Sequence, residues 1–219
     1  MGNRLYHEAL DLTLAAAAGQ GGSNLECHMI DARIDASAAK SRLIEIVTAR
    51  SFSTGAKTRL VSGRSTSFYF DMKPSMLHPE SAHLIAQLTL EQLEGTRVEF
   101  VGGLEIGAVP LATAIAVLSQ GRGRPIGAFF VRKQAKEHGA RKLVEGLAPG
   151  ETLNGKHVVI LEDVTTTGGS SLRAIDAVKT EGAVIESVIT VVDRLEGAAE
   201  AFKAAGIPFH ALLTAADFG

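Results

Sequence analysis

Val158 to Ser171 reads VVILEDVTTTGGSS, and its two halves differ in character. Val158 to Leu161 is an unbroken apolar run, which fits a strand buried on both faces. Two adjacent carboxylates, Glu162 and Asp163, end it. After Val164 comes a loop of Thr165, Thr166, Thr167, Gly168 and Gly169, and a helix opens at Ser170 or Ser171. Helix N-termini carry unsatisfied N–H groups and positive partial charge, so they accept phosphate. Glycine lets the backbone come close to the anion, and hydroxyls add donors. Carboxylates repel a phosphate but accept hydrogen bonds from vicinal sugar hydroxyls. These features describe a ribose-phosphate cradle. The plainer alternative is a strand–turn–helix connection with a serine cap, although two acids followed by Thr, Gly and Ser are unusual for a mere turn. The segment lacks the Gly-Lys-Ser/Thr of a P-loop and the GxGxxG of a dinucleotide site.

Working outward, strands and helices alternate. Upstream, Val98–Val101 reads as a strand, Val109–Leu118 as a helix and Ile126–Val131 as a strand, followed by a polar segment, Arg132–Gly146. Downstream, the pattern gives a helix Ser170–Glu181, a strand Val188–Val192, a helix Ala198–Ala205 and a last strand Phe209–Leu213. Nearer the N-terminus, residues 40–50 and Pro79 to about Glu94 read as helices. Leu60–Gly63 and Ser67–Asp71 read as strands flanking a Ser/Gly/Arg turn. Apolar strands alternating with amphipathic helices imply an α/β fold with a mainly parallel sheet covered on both faces. Such sheets bind ligands beyond the carboxyl ends of their strands.

Composition narrows the class. The chain has 219 residues, 46% hydrophobic and 21% charged, enough for a full core without staples. A net charge of −2 argues against a nucleic-acid or membrane-surface binder. The lone cysteine, Cys27, fits a reducing compartment. Leu10–Ala18 resembles a short signal core but is interrupted by Asp11, so it reads as an amphipathic N-terminal helix, and a cytoplasmic location is expected. No histidine pair has zinc-site spacing.

The strand, acid pair and Thr/Gly/Ser loop resemble the PRPP (5-phosphoribosyl 1-diphosphate) motif of the type I phosphoribosyltransferases. The resemblance covers roughly residues 50–219. It implies that family's fold: a central mainly parallel sheet flanked by helices, with a small N-terminal hood. The division implied is an N-terminal helical extension over 1–40, a hood over 41–75 joined by about 207–219, and a PRPP-binding core over 76–206. It also implies PRPP contacts from Glu162, Asp163, Val164, Thr165, Thr166, Thr167, Gly168, Gly169 and Ser170, with Asp163 among the catalytic residues.

Further segments resemble the orotate phosphoribosyltransferases. Phe129 to Gly139, FFVRKQAKEHG, sets Arg132, Lys133, Lys136 and His138 within seven residues, cations suited to a departing diphosphate. A solvated basic loop is the plainer reading. The order resembles that family's mobile catalytic loop. This implies that Arg132 and Lys133 hold the diphosphate, and that Lys136 and His138 act catalytically in the partner's site of a homodimer sharing loop 132–146. Strand Val188–Val192 ends in Asp193-Arg194. An arginine there suits a bidentate grip on a carboxylate, and the resemblance makes Arg194 the orotate-binding arginine, with Thr166 also near orotate. In SFYFDMK, Tyr69 and Phe70 would pack against the pyrimidine and Lys73 would approach PRPP. Gly102 to Pro110 resembles the loop under the diphosphate. Some members carry lysines where this chain has Val61 and Glu105-Ile106, and Lys73 is the candidate replacement.

The activity implied is orotate plus PRPP to orotidine 5′-phosphate plus diphosphate, in pyrimidine synthesis, with Mg2+ carried by PRPP and no direct protein ligand. Two alternatives stay open: a phosphoribosyltransferase for another base, and a non-catalytic PRPP-binding regulator. The charge balance and the lack of a DNA-binding segment weigh against the regulator.

Overall fold

In a computed structural model, residues 34–59, 65–134 and 143–219 are described. Helix α1 (Ala36–Arg50) begins where the Asp35 carboxylate accepts from the Ser37 and Ala38 N–H groups at 3.0 and 3.2 Å. It starts four residues before the helix expected at 40–50. Ala39, Leu43, Ile46 and Val47 are buried in the same core as the sheet, so α1 packs on the core, although the sequence gives residues 1–40 to an extension and 41–75 to a hood.

An antiparallel hairpin follows, β1 (Phe52–Arg59) with β2 (Ser65–Phe70), in which Phe52 faces Phe70. The expected partner strand, Leu60–Gly63, lies outside the described residues, and the pairing falls on Phe52–Arg59. Aromatic packing explains this. Phe52, Phe68 and Phe70 share one face and cluster with Phe218 at ring separations of 4.9–6.2 Å. Phe218 belongs to a 3₁₀ turn, Ala215–Phe218, at the end of the chain.

A short helix α2 (Lys73–Met76) and a longer α3 (Pro79–Gln92) lead to the main sheet. Its strands are β3 (Phe100–Leu104), β4 (Gly127–Val131), β5 (Val144–Glu145), β6 (His157–Thr165), β7 (Val184–Asp193) and β8 (Phe209–Thr214). Their order is β5-β4-β3-β6-β7-β8, parallel except for the β4–β5 pair. Helices α4 (Ala108–Gly121), α5 (Gly169–Thr180) and α6 (Ala198–Ala204) complete the chain. Strand β6 alternates between two cores. Val159 and Leu161 join the apolar cluster of α1, α3 and α4, while Val158 and Ile160 join that of α5 and α6. Among the described residues, no helix is long and apolar enough to cross a membrane.

Among the boundaries that differ from expectation, three bear on the site. Strand β3 occupies 100–104, not 98–101, because Gly102 and Gly103 are strand residues. A side chain on Gly102 would overlap Phe129, and one on Gly103 would overlap the Leu161 backbone, so close packing demands glycine where strand propensity disfavours it. Strand β6 continues to Thr165 rather than stopping at Leu161. It pairs with β3 as far as Ile160 but with β7 through Thr165. The polar segment 132–146 contains the short strand β5, which pairs Val144 with Val131 and Glu145 with Phe130.

Candidate active site

The site forms where β6 outruns β3. Glu162 and Asp163 are strand residues, not residues beyond a strand end, so alternation sends them to opposite sides. Glu162 turns toward α5, where the Ser171 hydroxyl donates to its Oε2 at 2.8 Å. Asp163 turns toward the N-terminus of α4. A Cβ on Gly107 would lie only 2.8 Å from its carboxyl group. The Val164 N–H donates to Asp163 Oδ1 at 2.8 Å.

Both acids sit in low-dielectric surroundings. Burial, reinforced by the charge of Asp163, pushes the Glu162 carboxyl up to about 7, against the opposing Ser171 hydrogen bond and the Arg173 charge. Burial also raises Asp163, opposed by the Val164 N–H and by Lys73. For both carboxylates burial outweighs the compensating charges of Arg173 and Lys73, and such groups suit hydroxyl donors.

Beyond them the chain folds around a cavity of about 300 Å³ lined by Glu162, Val164 to Ser170 and Arg173. Gly168 adopts φ +80° as the N-cap of α5, and among the described residues no side chain caps the helix. The serine-cap alternative therefore fails. The helix start keeps its N–H groups for an anion. Phe202 braces the turn from behind, leaving no room for a larger residue at Gly168. Thr165 is buried, whereas Thr167 and Gly169 are exposed at the mouth. Arg173, one turn into α5, was missed by sequence reasoning. Its position three residues after Ser170 was the available signal.

At the end of β7, Arg194 is 4% exposed. Its Nη2 lies 2.7 Å from Glu196 Oε1, and its guanidinium carbon stands 4.9 Å from the centroid of Phe68. This revises the reading of the hood. Phe70, assigned to the base from sequence, is 5% exposed inside the aromatic core, and Tyr69 is 44% exposed on the opposite face of β2. Phe68 is the aromatic ring beside Arg194. Alternation along SFYF separates Tyr69 from Phe68 and Phe70, but it could not show which face was inward or which of the two phenylalanines stood beside Arg194.

Lys73 opens α2 with its Nζ 2.8 Å from Asp71 Oδ1, and its charge bears on Asp163. At the other wall, the Lys133 N–H donates to Glu105 at 2.9 Å. Arg132 Nη1 is 3.5 Å from Glu145 Oε1, across the stems of the basic segment. Lys136 and His138 lie outside the described residues. No group of three or more His, Cys, Asp or Glu able to hold a metal occurs among the described residues.

Comparison with known proteins shows the family. A family model described as the phosphoribosyl transferase domain matches residues 75–205. An orotate phosphoribosyltransferase of Rhodopseudomonas palustris (strain TIE-1) is 59% identical over 182 residues, covering 83% of this chain and 97% of the relative. The crystal structure of Mycobacterium tuberculosis H37Rv orotate phosphoribosyltransferase with Fe(III) dicitrate is 41% identical and superposes with a TM-score of 0.71, covering 83% of this chain and 99% of that one. The same mycobacterial enzyme in complex with PRPP is 38% identical, with a TM-score of 0.67 over the same shares. The chain belongs to the phosphoribosyl transferase family, and within it to the orotate phosphoribosyltransferases.

Proposed function

We propose that the protein transfers the ribose 5-phosphate of PRPP to N1 of orotate, forming orotidine 5′-phosphate and releasing diphosphate. The observation that carries this reading is the uncapped start of α5, facing a cavity whose rim bears Glu162. The 5′-phosphate takes the backbone N–H groups and hydroxyls of residues 165–170. Glu162 and Asp163 accept from the ribose hydroxyls. Glu162 is charged above about pH 7 and accepts best there. Orotate lies beside Arg194, whose guanidinium receives the carboxylate that uracil and the purines lack. Thr166, which lines the same cavity, lies near orotate in this reading.

The C1′–O bond to diphosphate breaks with oxocarbenium character, N1 attacks the same carbon, and the N1 proton leaves to the released diphosphate. Arg132, Lys133 and Lys73 neutralise the departing charge. Lys136 and His138 belong to the same proposal, reaching the partner's site in a homodimer. Glu162, which lines the cavity, and its neighbour Asp163 are hard oxygen donors that would suit Mg2+ carried in by PRPP. When bound, that ion supplies charge neutralisation of the diphosphate. The proposal retains a hood of the β1–β2 hairpin and the C-terminal turn, supported by the Phe52–Phe70–Phe218 cluster. It also keeps the enzyme in the cytoplasm, where a thiol such as Cys27 stays reduced.

The test follows orotate absorbance with PRPP and Mg2+, with uracil, adenine and hypoxanthine as competing bases. Orotate alone should turn over, and Arg194→Ala should cut its kcat/KM by about 10²-fold or more. Turnover of another base at a comparable rate would overturn the assignment.

A further inference from the structure

Arg194 is held on more than one side before any ligand arrives. Glu196 Oε1 lies 2.7 Å from Nη2, with the Glu196 side chain 19% exposed and that of Arg194 3% exposed. Phe68 offers its ring face 4.9 Å from the guanidinium carbon. The backbone between the two charges is bent to allow this. Leu195 adopts φ +58°, an unusual conformation for a side-chain-bearing residue, and its N–H is taken by Asp193 Oδ1 at 2.9 Å. In an extended strand, residues two apart project the same way but stand well separated. The left-handed residue folds Glu196 back onto Arg194.

We propose that Glu196 and Phe68 are positioning residues for base recognition: they fix the place and plane of the Arg194 guanidinium, so that it meets the substrate carboxylate already ordered. The inference rests on Arg194 being the partner of that carboxylate. An arginine side chain carries large rotamer freedom, and ordering it during binding weakens affinity. Here the ordering is complete in the fold. Glu196 has a second, opposing effect, since its negative charge repels an incoming carboxylate. At 19% exposure the Arg194–Glu196 pair is shielded from water, and a guanidinium stripped of Glu196 would be buried without that compensation. Positioning outweighs repulsion, so removing Glu196 weakens orotate binding.

The experiment measures KM for orotate and for PRPP, together with kcat, in Glu196→Ala, Glu196→Asp and Phe68→Leu of the full-length enzyme. Glu196→Ala should raise the orotate KM about tenfold, with PRPP KM unchanged and kcat within about threefold. Glu196→Asp should recover part of the loss, and Phe68→Leu should move the orotate KM in the same direction. An orotate KM within twofold of wild type in Glu196→Ala, or a rise shared equally by PRPP, overturns the inference. If Glu196→Ala does not fold, the isosteric Glu196→Gln is judged by the same criteria. Arg194→Ala separates the two levels. If it spares orotate turnover, the reading of Arg194 fails. If it abolishes orotate turnover while Glu196→Ala changes nothing, only the positioning role fails.

Discussion

Glu162 shows how one side chain links chemistry to stability. Its folded-state carboxyl titrates near 7, against an ordinary 4.5. The folded protein therefore holds a proton that the unfolded chain releases across that window. The stability this lends is complete below 4.5 and lost as pH rises through about 7. Glu162→Gln removes the dependence. Urea unfolding should show the variant more stable than wild type by on the order of 2 kcal/mol near pH 8 and nearly equal near pH 4. PRPP turnover should fall at the same time. A stability difference independent of pH would refute the buried-carboxylate account. The two acids and the threonine-rich bend could be read from the sequence, because polar residues directly after an apolar strand stand out. That the acids face opposite sides could not, since it depends on β6 continuing alongside β7.

At the scale of elements, the β6–α5 connection sets the shape of the cradle. Gly168 combines φ +80° with a would-be Cβ 2.9 Å from Phe202 Cζ. Two independent requirements thus select glycine at one position. Gly168→Ala should cost about 1–3 kcal/mol in unfolding free energy, from left-handed strain and from contact with Phe202. PRPP affinity should fall with it. Thermal unfolding and PRPP titration check both, and an unchanged midpoint would show that the turn relaxes freely. The helices α3, α4 and α5 were legible from their 3.6-residue periodicity. Strand β3 was displaced because its two glycines carry no propensity signal, only a packing one. The strand Phe52–Arg59 was not picked out because FSTGAKTR has no alternation. It is a strand through Phe52 and the ring cluster it joins, a long-range cause that local pattern cannot contain.

At the scale of the whole molecule, the proposed homodimer makes a quantitative prediction. Arg194 belongs to one subunit's site and Lys136 is proposed to reach into the other's. Lys136→Ala and Arg194→Ala should each be nearly inactive alone. Co-expressed, random pairing should give hybrids with one intact site, restoring about a quarter of wild-type activity. Absence of recovery, with hybrids demonstrated by mass, would place Lys136 in its own subunit's site. The α/β architecture was fully legible, because buried parallel strands and amphipathic helices are local signals. Partnership between subunits was expected only through resemblance.

The glycine floor beneath the site has an evolutionary corollary. Gly102, Gly103 and Gly107 each press a bare backbone against a neighbouring strand or carboxylate. Mutational drift has almost no foothold there, so paralogues that diverge to a new acceptor must do so through the hairpin and the turn after β7. Saturation libraries built on this scaffold will find their permissive positions in those two segments, and silence along the floor.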